Sequence, residues 1–334
     1  DGWFIQQDGV FIANSAKQII CAGDLIQTDM AVDGDFRRNL ANLVMTGDRA
    51  TLSLKYDHPL RKLTVTGDIV VMRGRVRELV NTGTMTIADW ADHGEPGDLE
   101  IVINSQYTPA SYYVVNQGTI DGPGMLKVRA YDVDPTIEIG TASHVRLSNT
   151  FDATGSRTIV LATPTDCQRL IIESEHATHS TTLDLDAQTM TVNTLIIGAR
   201  GAMLGGEGVI RTAAWDSSAG SWTPEDSTVV LSDGGTVKLA PGQSFNRLEI
   251  SSGNGRTATW SMTATGAQAP IVTGLESGSY LWCLDGVVQG EVKVGEDGTI
   301  ALSYQSTGLH TLTVVPKLEV TNSPSAGAIA YVIS

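Results

Sequence analysis

The sequence is short of cysteine, of charge and of helical pattern, and each shortage removes a class of protein. Cys21, Cys167 and Cys283 are the only three cysteines in 334 residues, and no two form a Cys-x-x-Cys pair. That excludes a disulfide framework and a zinc ribbon. At most one intramolecular bridge can form, so the three are candidates for a disulfide, for a crosslink between subunits, or for small buried apolar residues. Lys and Arg number 22 against 37 Asp and Glu, a formal charge of −15. Such a surface repels phosphate backbones and anionic lipid, so nucleic acid is not an expected partner. No apolar run reaches the roughly 18 residues that a membrane span requires. The chain also lacks a Gly-x-Ser-x-Gly, a phosphate loop, a nicotinamide fingerprint and an Asn-x-Ser/Thr glycan acceptor. No cofactor and no enzymatic activity are expected on that basis.

What is present points to β structure. Hydrophobic residues make up 41% and charged residues 18%, with 35 glycines, a composition suited to many short strands joined by turns. Apolar residues alternate with a period of two in Thr51–Tyr56, Leu99–Ile103, Leu183–Leu185 and Thr311–Val314. Asp-Gly pairs at 8–9, 33–34, 121–122, 233–234, 285–286 and 297–298, with Asn-Gly at 254–255, mark tight reversals between them. Only Phe36–Met45 carries a helical spacing, with Phe36, Leu40 and Leu43 on one side, and it reads equally as a strand ending at Gly47-Asp48.

The strands also repeat. Leu79-Val-Asn-Thr-Gly-Thr84 is echoed by Val114-Val-Asn-Gln-Gly-Thr119. Each reads as a short strand, a sharp polar corner held by Asn and Gly, and a Thr that resumes the next strand. A polar or basic residue before an apolar segment recurs at Lys62–Val65, His144–Leu147, Arg169–Ile172, Thr194–Ile197 and Arg247–Ile250. Leucines 79, 99, 126, 147, 170 and 195 follow at steps in the twenties, and Leu248 lies about two steps further on. A period of that size is a solenoid period, in which each unit completes its core only by stacking. The expected fold is all-β, a β-solenoid of stacked short strands, with β-sandwich or meander domains as the alternative. The expected division is an N-terminal β segment or cap over 1–60, a solenoid over 61–267, a small module over 268–316 and a tail strand over 317–334.

Thr182–Ile210, Ser227–Leu239 and Phe245–Ile250 resemble the rungs of secreted prokaryotic β-solenoid surface proteins of the archaeal sheath and surface-layer type. The likeness is compositional, spans residues 60–260, and implies a stacked fold in an extracellular setting. Beyond Gln268-Ala-Pro270 the character changes. Tyr280, Trp282 and Leu284 share one strand face, and Asp285-Gly286 and Asp297-Gly298 are expected to close two hairpins. This segment resembles the immunoglobulin- or fibronectin-like module that ends many microbial surface proteins, though it is short for a full sandwich. A first residue of Asp rather than Met is read as the trace of a removed leader.

Candidates for chemistry are sparse. His176 and His179 lie near Asp184 and Asp186, while Asp132 and Asp134 form another same-face pair; all are expected to be solvated. Gly205-Gly-Glu-Gly208 opens no helix and is read as a solenoid corner. Trp215 and Trp222 flank a polar loop, where packing inside the molecule, sealing of a subunit interface and stacking on a glycan are all open. Trp3, Phe4 and Ile5 near the start, and Ile329, Tyr331, Val332 and Ile333 near the end, are candidate assembly strands, because apolar edges invite pairing with another copy. The expected role is an extracellular structural subunit that polymerises with copies of itself into a sheath, coat or filament. A tail or fibre protein of a prokaryotic virus, or a carbohydrate-binding or carbohydrate-active β-helix protein engaging cell-surface glycans, are the alternatives.

Overall fold

The computed structural model describes residues 4–6, 18–22, 25–27, 42–54, 60–88, 97–104 and 112–317. Among these residues there is no helix, and most of the 29 strands stack in parallel as a β-solenoid of about ten turns. Accordingly, no helix of the described residues is long and apolar enough to cross a membrane. Asn42–Met45 is a strand, so the strand reading of that stretch holds where it is described.

Each turn visits three faces. Thr119–Asp121 lies on face I, Met125–Ala130 on face II and Thr136–Glu138 on face III, and the chain re-enters face I at Thr141. Strands on each face pair in parallel with the turns before and after. The single strand Asp68–Asn81 bends around all three faces. Strands on both sides of residue 61 belong to the same ladder, from Phe4–Gln6 onward.

Alternation within each strand sends every second residue inward, and register stacks those residues into columns. On face II the column runs Leu99, Leu126, Val145, Leu170, Leu195, Trp215, Val237 and Met262. None of these is more than 1% exposed. On face I it runs Met85, Ile120, Ala142, Cys167, Val192, Thr212, Leu231, Ile250 and Val272. Full burial of such a side chain contributes about 1.5–3 kcal/mol.

The columns refine the repeat read from sequence. His144, Arg169 and Thr194 are register partners on face II, as are Leu170 and Leu195. Leu147 pairs with Ile172 rather than Leu170, and Leu248 sits on face I beside Val229. Lys62–Val65 belongs to face III. A three-faced coil presents similar apolar strands on every face, so equal-looking segments need not be equivalent.

The stack ends by reversing direction. Ala258–Gln268 pairs in parallel with Thr228–Leu239 and antiparallel, over eleven residue pairs, with Tyr304–Pro316. Gly278–Leu284 and then Val287–Val294 add on beyond it. Face I ends likewise, with Ile271–Thr273 antiparallel to Ile300–Ala301. The C-terminal strands therefore prolong two solenoid faces while Tyr280, Ile300, Leu302 and Tyr304 are buried against the core. Asp285-Gly286 closes a two-residue hairpin with φ of 51° and 78°. Asp297-Gly298 closes none: it leads from Val287–Val294 to Ile300–Ala301, which pairs on the other face.

At the corner from face III to face I, glycines stack. A Cβ on Gly67 would lie 2.2 Å from the Gly47 carbonyl oxygen, one on Gly83 2.1 Å from that of Gly67, and one on Gly118 2.0 Å from that of Gly83. Those carbonyls accept hydrogen bonds from the amides of Asp68, Thr84 and Thr119, each at 3.0 Å. No other residue fits so near the backbone of the previous turn. Gly83→Ala is expected to lower stability by about 1–3 kcal/mol or more in urea or thermal unfolding, the range for a forced core clash. Gly155→Ala, whose Cβ would meet only Arg157 atoms at 3.7 Å or more, is the control expected to change little.

Candidate functional site

The two Asn-x-Gly-Thr segments lie directly on one another. Val114, Val115, Asn116 and Thr119 are the register partners of Leu79, Val80, Asn81 and Thr84. Asn81 Nδ2 donates to Asn116 Oδ1 at 2.7 Å, and Asn116 Nδ2 donates to the carbonyls of Ile139 at 2.6 Å and Thr141 at 2.9 Å. Both side chains are buried and link three turns, so this motif is structural: an amide ladder that satisfies the carbonyls a sharp corner strands.

Asp184 and Asp186 do not share a strand face. Asp186 stands at a corner with φ of 51°, and its amide donates to Asp184 Oδ1 at 2.9 Å. Gly206 (φ 55°) and Glu225 (φ 48°) take up corners of the same kind in the next two turns, bearing out the reading of Gly205–Gly208 as a corner. The Asp132 and Asp134 segment is a bend rather than a strand, and Asp134 Oδ1 accepts the Thr158 amide at 2.9 Å. His176 Nδ1 accepts the amides of Thr178 at 3.0 Å and His179 at 3.1 Å, and the two imidazoles stack 4.1 Å apart. That ring nitrogen therefore caps a turn. Among the described residues no group of three or more His, Cys, Asp or Glu is placed to hold a metal ion.

Trp215 and Trp222 are interior residues, which corrects their candidacy as exposed interface or glycan aromatics. They are 1% and 6% exposed, with rings edge-to-face at 4.8 Å, and Phe245 packs on Trp215 at 5.2 Å. The reason is local: residues 240–246 form no strand on face III, and large rings fill the space that a strand's side chains would occupy. Trp215 Nε1 donates to Ser217 Oγ at 3.0 Å, Ser217 Oγ donates to Gln243 Oε1 at 2.6 Å, and Gln243 Nε2 donates to the Gly220 carbonyl at 2.9 Å. None of the three cysteines is in a disulfide. Cys167 occupies the face I column between Ala142 and Val192, and burial pushes its thiol up to about 12. Phe4 and Ile5 lie in a strand parallel to Leu25–Gln27. Trp3, Ile329, Tyr331, Val332 and Ile333 lie outside the described residues.

Two outward surfaces remain. On face II, Glu100 is nearly buried between Arg75, at 2.6 Å, and Arg129, which also pairs with Glu175. Lys127 pairs with Asp98, whose carboxyl is held above its usual range by burial, with Lys127 opposing the shift. These bridges join successive turns, and in the case of Arg129 and Glu175 reach across two, bracing the register.

The other surface is a groove of about 650 Å³ along the junction of faces I and II. It crosses seven successive turns, from Thr119–Asp121 through Ser143, Gln168, Asn193 and Ala213 to Ser232 and Ser251. Its position follows from the backbone. The residues at this junction, among them Gln168 and Asn193, fall between the paired segments of faces I and II and turn outward together with their neighbours Arg169 and Thr194. Two consecutive outward residues mark the bend. The lining is mainly hydroxyl, amide and small apolar, with Asp121, Asp166 and Arg211 its charges. Sequence reading did not find it, because each turn contributes only one or two unremarkable polar residues and the site exists only in the stack.

No family model matches the sequence, and neither a curated protein nor a solved structure is detectably similar to it.

At the groove's end, the Ser143 hydroxyl donates to Asp121 Oδ1 at 2.5 Å and the Gly122 amide donates at 2.7 Å. These two bonds hold the Asp121 carboxyl below the usual carboxylate range. A depressed folded value stabilises the protein above the unfolded pKa, and that contribution is lost as pH falls through the folded value. Ser143→Ala is expected to raise the Asp121 pKa towards that of an ordinary Asp, read by NMR titration of the side-chain carboxyl carbon. An unmoved titration curve would refute the assignment of the shift to Ser143.

Proposed function

We propose that this chain is a structural subunit, an exported β-solenoid that assembles with copies of itself into a sheath, surface coat or filament. The observation that carries the reading is the continuous parallel ladder from Phe4–Gln6 to Ile271–Thr273, closed at one end by antiparallel strands. A stack of this kind is a stiff element whose length is set by the number of turns, which suits building material. The resemblance of Thr182–Ile210 and Ser227–Leu239 to rungs of prokaryotic surface proteins supports the extracellular setting, and both segments lie within the stack.

The contact surfaces of such an assembly would be strand edges. Among the described residues, Phe4–Gln6 pairs only with Leu25–Gln27, and Val287–Val294 only with Gly278–Leu284. These edges stand at opposite ends of the strand order, so joining one to the other is a head-to-tail contact, which propagates as a filament. Val287 and Val288 are 62% and 49% exposed at the tip of the second edge, whereas Glu291 and Lys293 further along oppose indiscriminate pairing.

Negative-stain microscopy of the concentrated protein should reveal filaments, tubes or sheets. Val288→Lys should raise the concentration needed for assembly at least tenfold while leaving the melting temperature unchanged. A protein that stays monomeric at millimolar concentration, with or without residues 326–334, would overturn the proposal, and discrete trimeric fibres would favour a viral fibre instead.

A further inference from the structure

Beyond assembly, we propose that the groove at the junction of faces I and II binds a neutral, extended, linear glycan laid along the solenoid axis, with about one sugar unit per turn. The groove crosses seven turns without interruption. Parallel strands repeat every ~4.8 Å, so it offers a line of equivalent positions about 29 Å long. An extended β-1,4-linked pyranose chain advances by close to the same interval per sugar, so that successive sugars stay in step with successive turns. A peptide fits less well. Its residues repeat every ~3.3 Å, out of step with the turns, and its backbone hydrogen bonds need a sheet edge. The groove floor crosses the strands and presents side chains.

The side chains on that floor have the chemistry of hydroxyl recognition. Gln168, Thr191, Asn193 and Arg211 make no side-chain hydrogen bond or ion pair with the described residues, and all four are exposed to the groove. Asp166, Thr191 and Arg211 are register partners on three consecutive turns, which lines up an acceptor, a hydroxyl and a guanidinium fork along the axis. A carboxylate and a guanidinium can each engage two neighbouring sugar hydroxyls. The overall charge of −15 argues for a neutral polymer, since a polyanion would be repelled from most of the surface. No aromatic ring lies in the groove, so affinity must accumulate from many weak contacts and depend steeply on chain length.

The test is a calorimetric and NMR titration of the full chain with neutral linear oligosaccharides of two to eight units. The probes are β-1,4-glucan, β-1,3-glucan, α-1,4-glucan and β-1,4-xylan, with oligogalacturonate and a Ser/Thr-rich peptide as the anionic and peptide arms. At least one neutral series should bind, with Kd falling tenfold or more between two and six units and levelling near seven. Thr191→Trp, which fills the groove, should weaken that binding at least tenfold while melting like the parent protein. Arg211→Ala, an exposed position, should weaken it several-fold should the larger replacement disturb folding. Absence of binding by every neutral series, tighter binding of oligogalacturonate or the peptide, or neutral binding indifferent to both substitutions would overturn the proposal.

Discussion

The fold depends on parallel strands keeping register while the length of the coil varies. Asp68 and Thr84 are neighbours one turn apart, separated by 16 residues, whereas Thr84 and Thr119, also one turn apart, are separated by 35. Register survives because the corner from face III to face I is fixed by contacts that permit one placement. Glycines at 67, 83 and 118 bring each turn against the carbonyl of the one before, and Asn81 and Asn116 bond across turns. A slip by one residue would bury a Cβ in backbone and leave those amides unpaired, besides turning every apolar side chain outward. Extra chain is therefore accommodated elsewhere, in the segments between strands.

With register held, the remaining features follow. Inward positions become columns, so Cys167 needs no redox role: it is the small residue between Ala142 and Val192. Where face III loses its strand, Trp215, Trp222 and Phe245 restore the lost volume. Outward positions become rows, and a row carries whatever its residues share. Along face II the row is ionic, and along the junction of faces I and II it is hydroxyl and amide. Termination requires that the parallel order be broken, which Tyr304–Pro316 does by pairing antiparallel with Ala258–Gln268.

Much of this is legible in the chain itself. The alternation, the turn pairs and the Asn-x-Gly-Thr echo identify a stacked β fold, and the echo names two corners that do stack. The wider corner series was also written there, as Met45-Thr-Gly-Asp48 and Val65-Thr-Gly-Asp68, but it lacks the Asn and so escaped the pattern. The assignment of strands to faces was not legible, because Arg169–Ile172 and Arg247–Ile250 look alike yet lie on faces II and I. Burial of the two tryptophans was hidden for a different reason. The polar residues between them suggest an exposed loop, whereas the space they fill arises from a strand missing a full turn later. The groove was invisible because its residues on successive turns are 19 to 25 positions apart and acquire meaning only through register.

Register is thus the claim on which the core columns, the corner ladder and the groove all rest, and crosslinking tests it most directly. Thr84 and Thr119 are exposed register partners, and adjacent strands place Cα atoms within the ~4.4–6.8 Å that a disulfide spans. Under mild oxidation the Thr84→Cys/Thr119→Cys protein should form that bridge, mapped by mass spectrometry, and retain its melting temperature. The out-of-register Thr84→Cys/Gln117→Cys protein should not. A bridge formed equally well in both, or only in the second, would contradict the stacking of these two corners and the account built upon it.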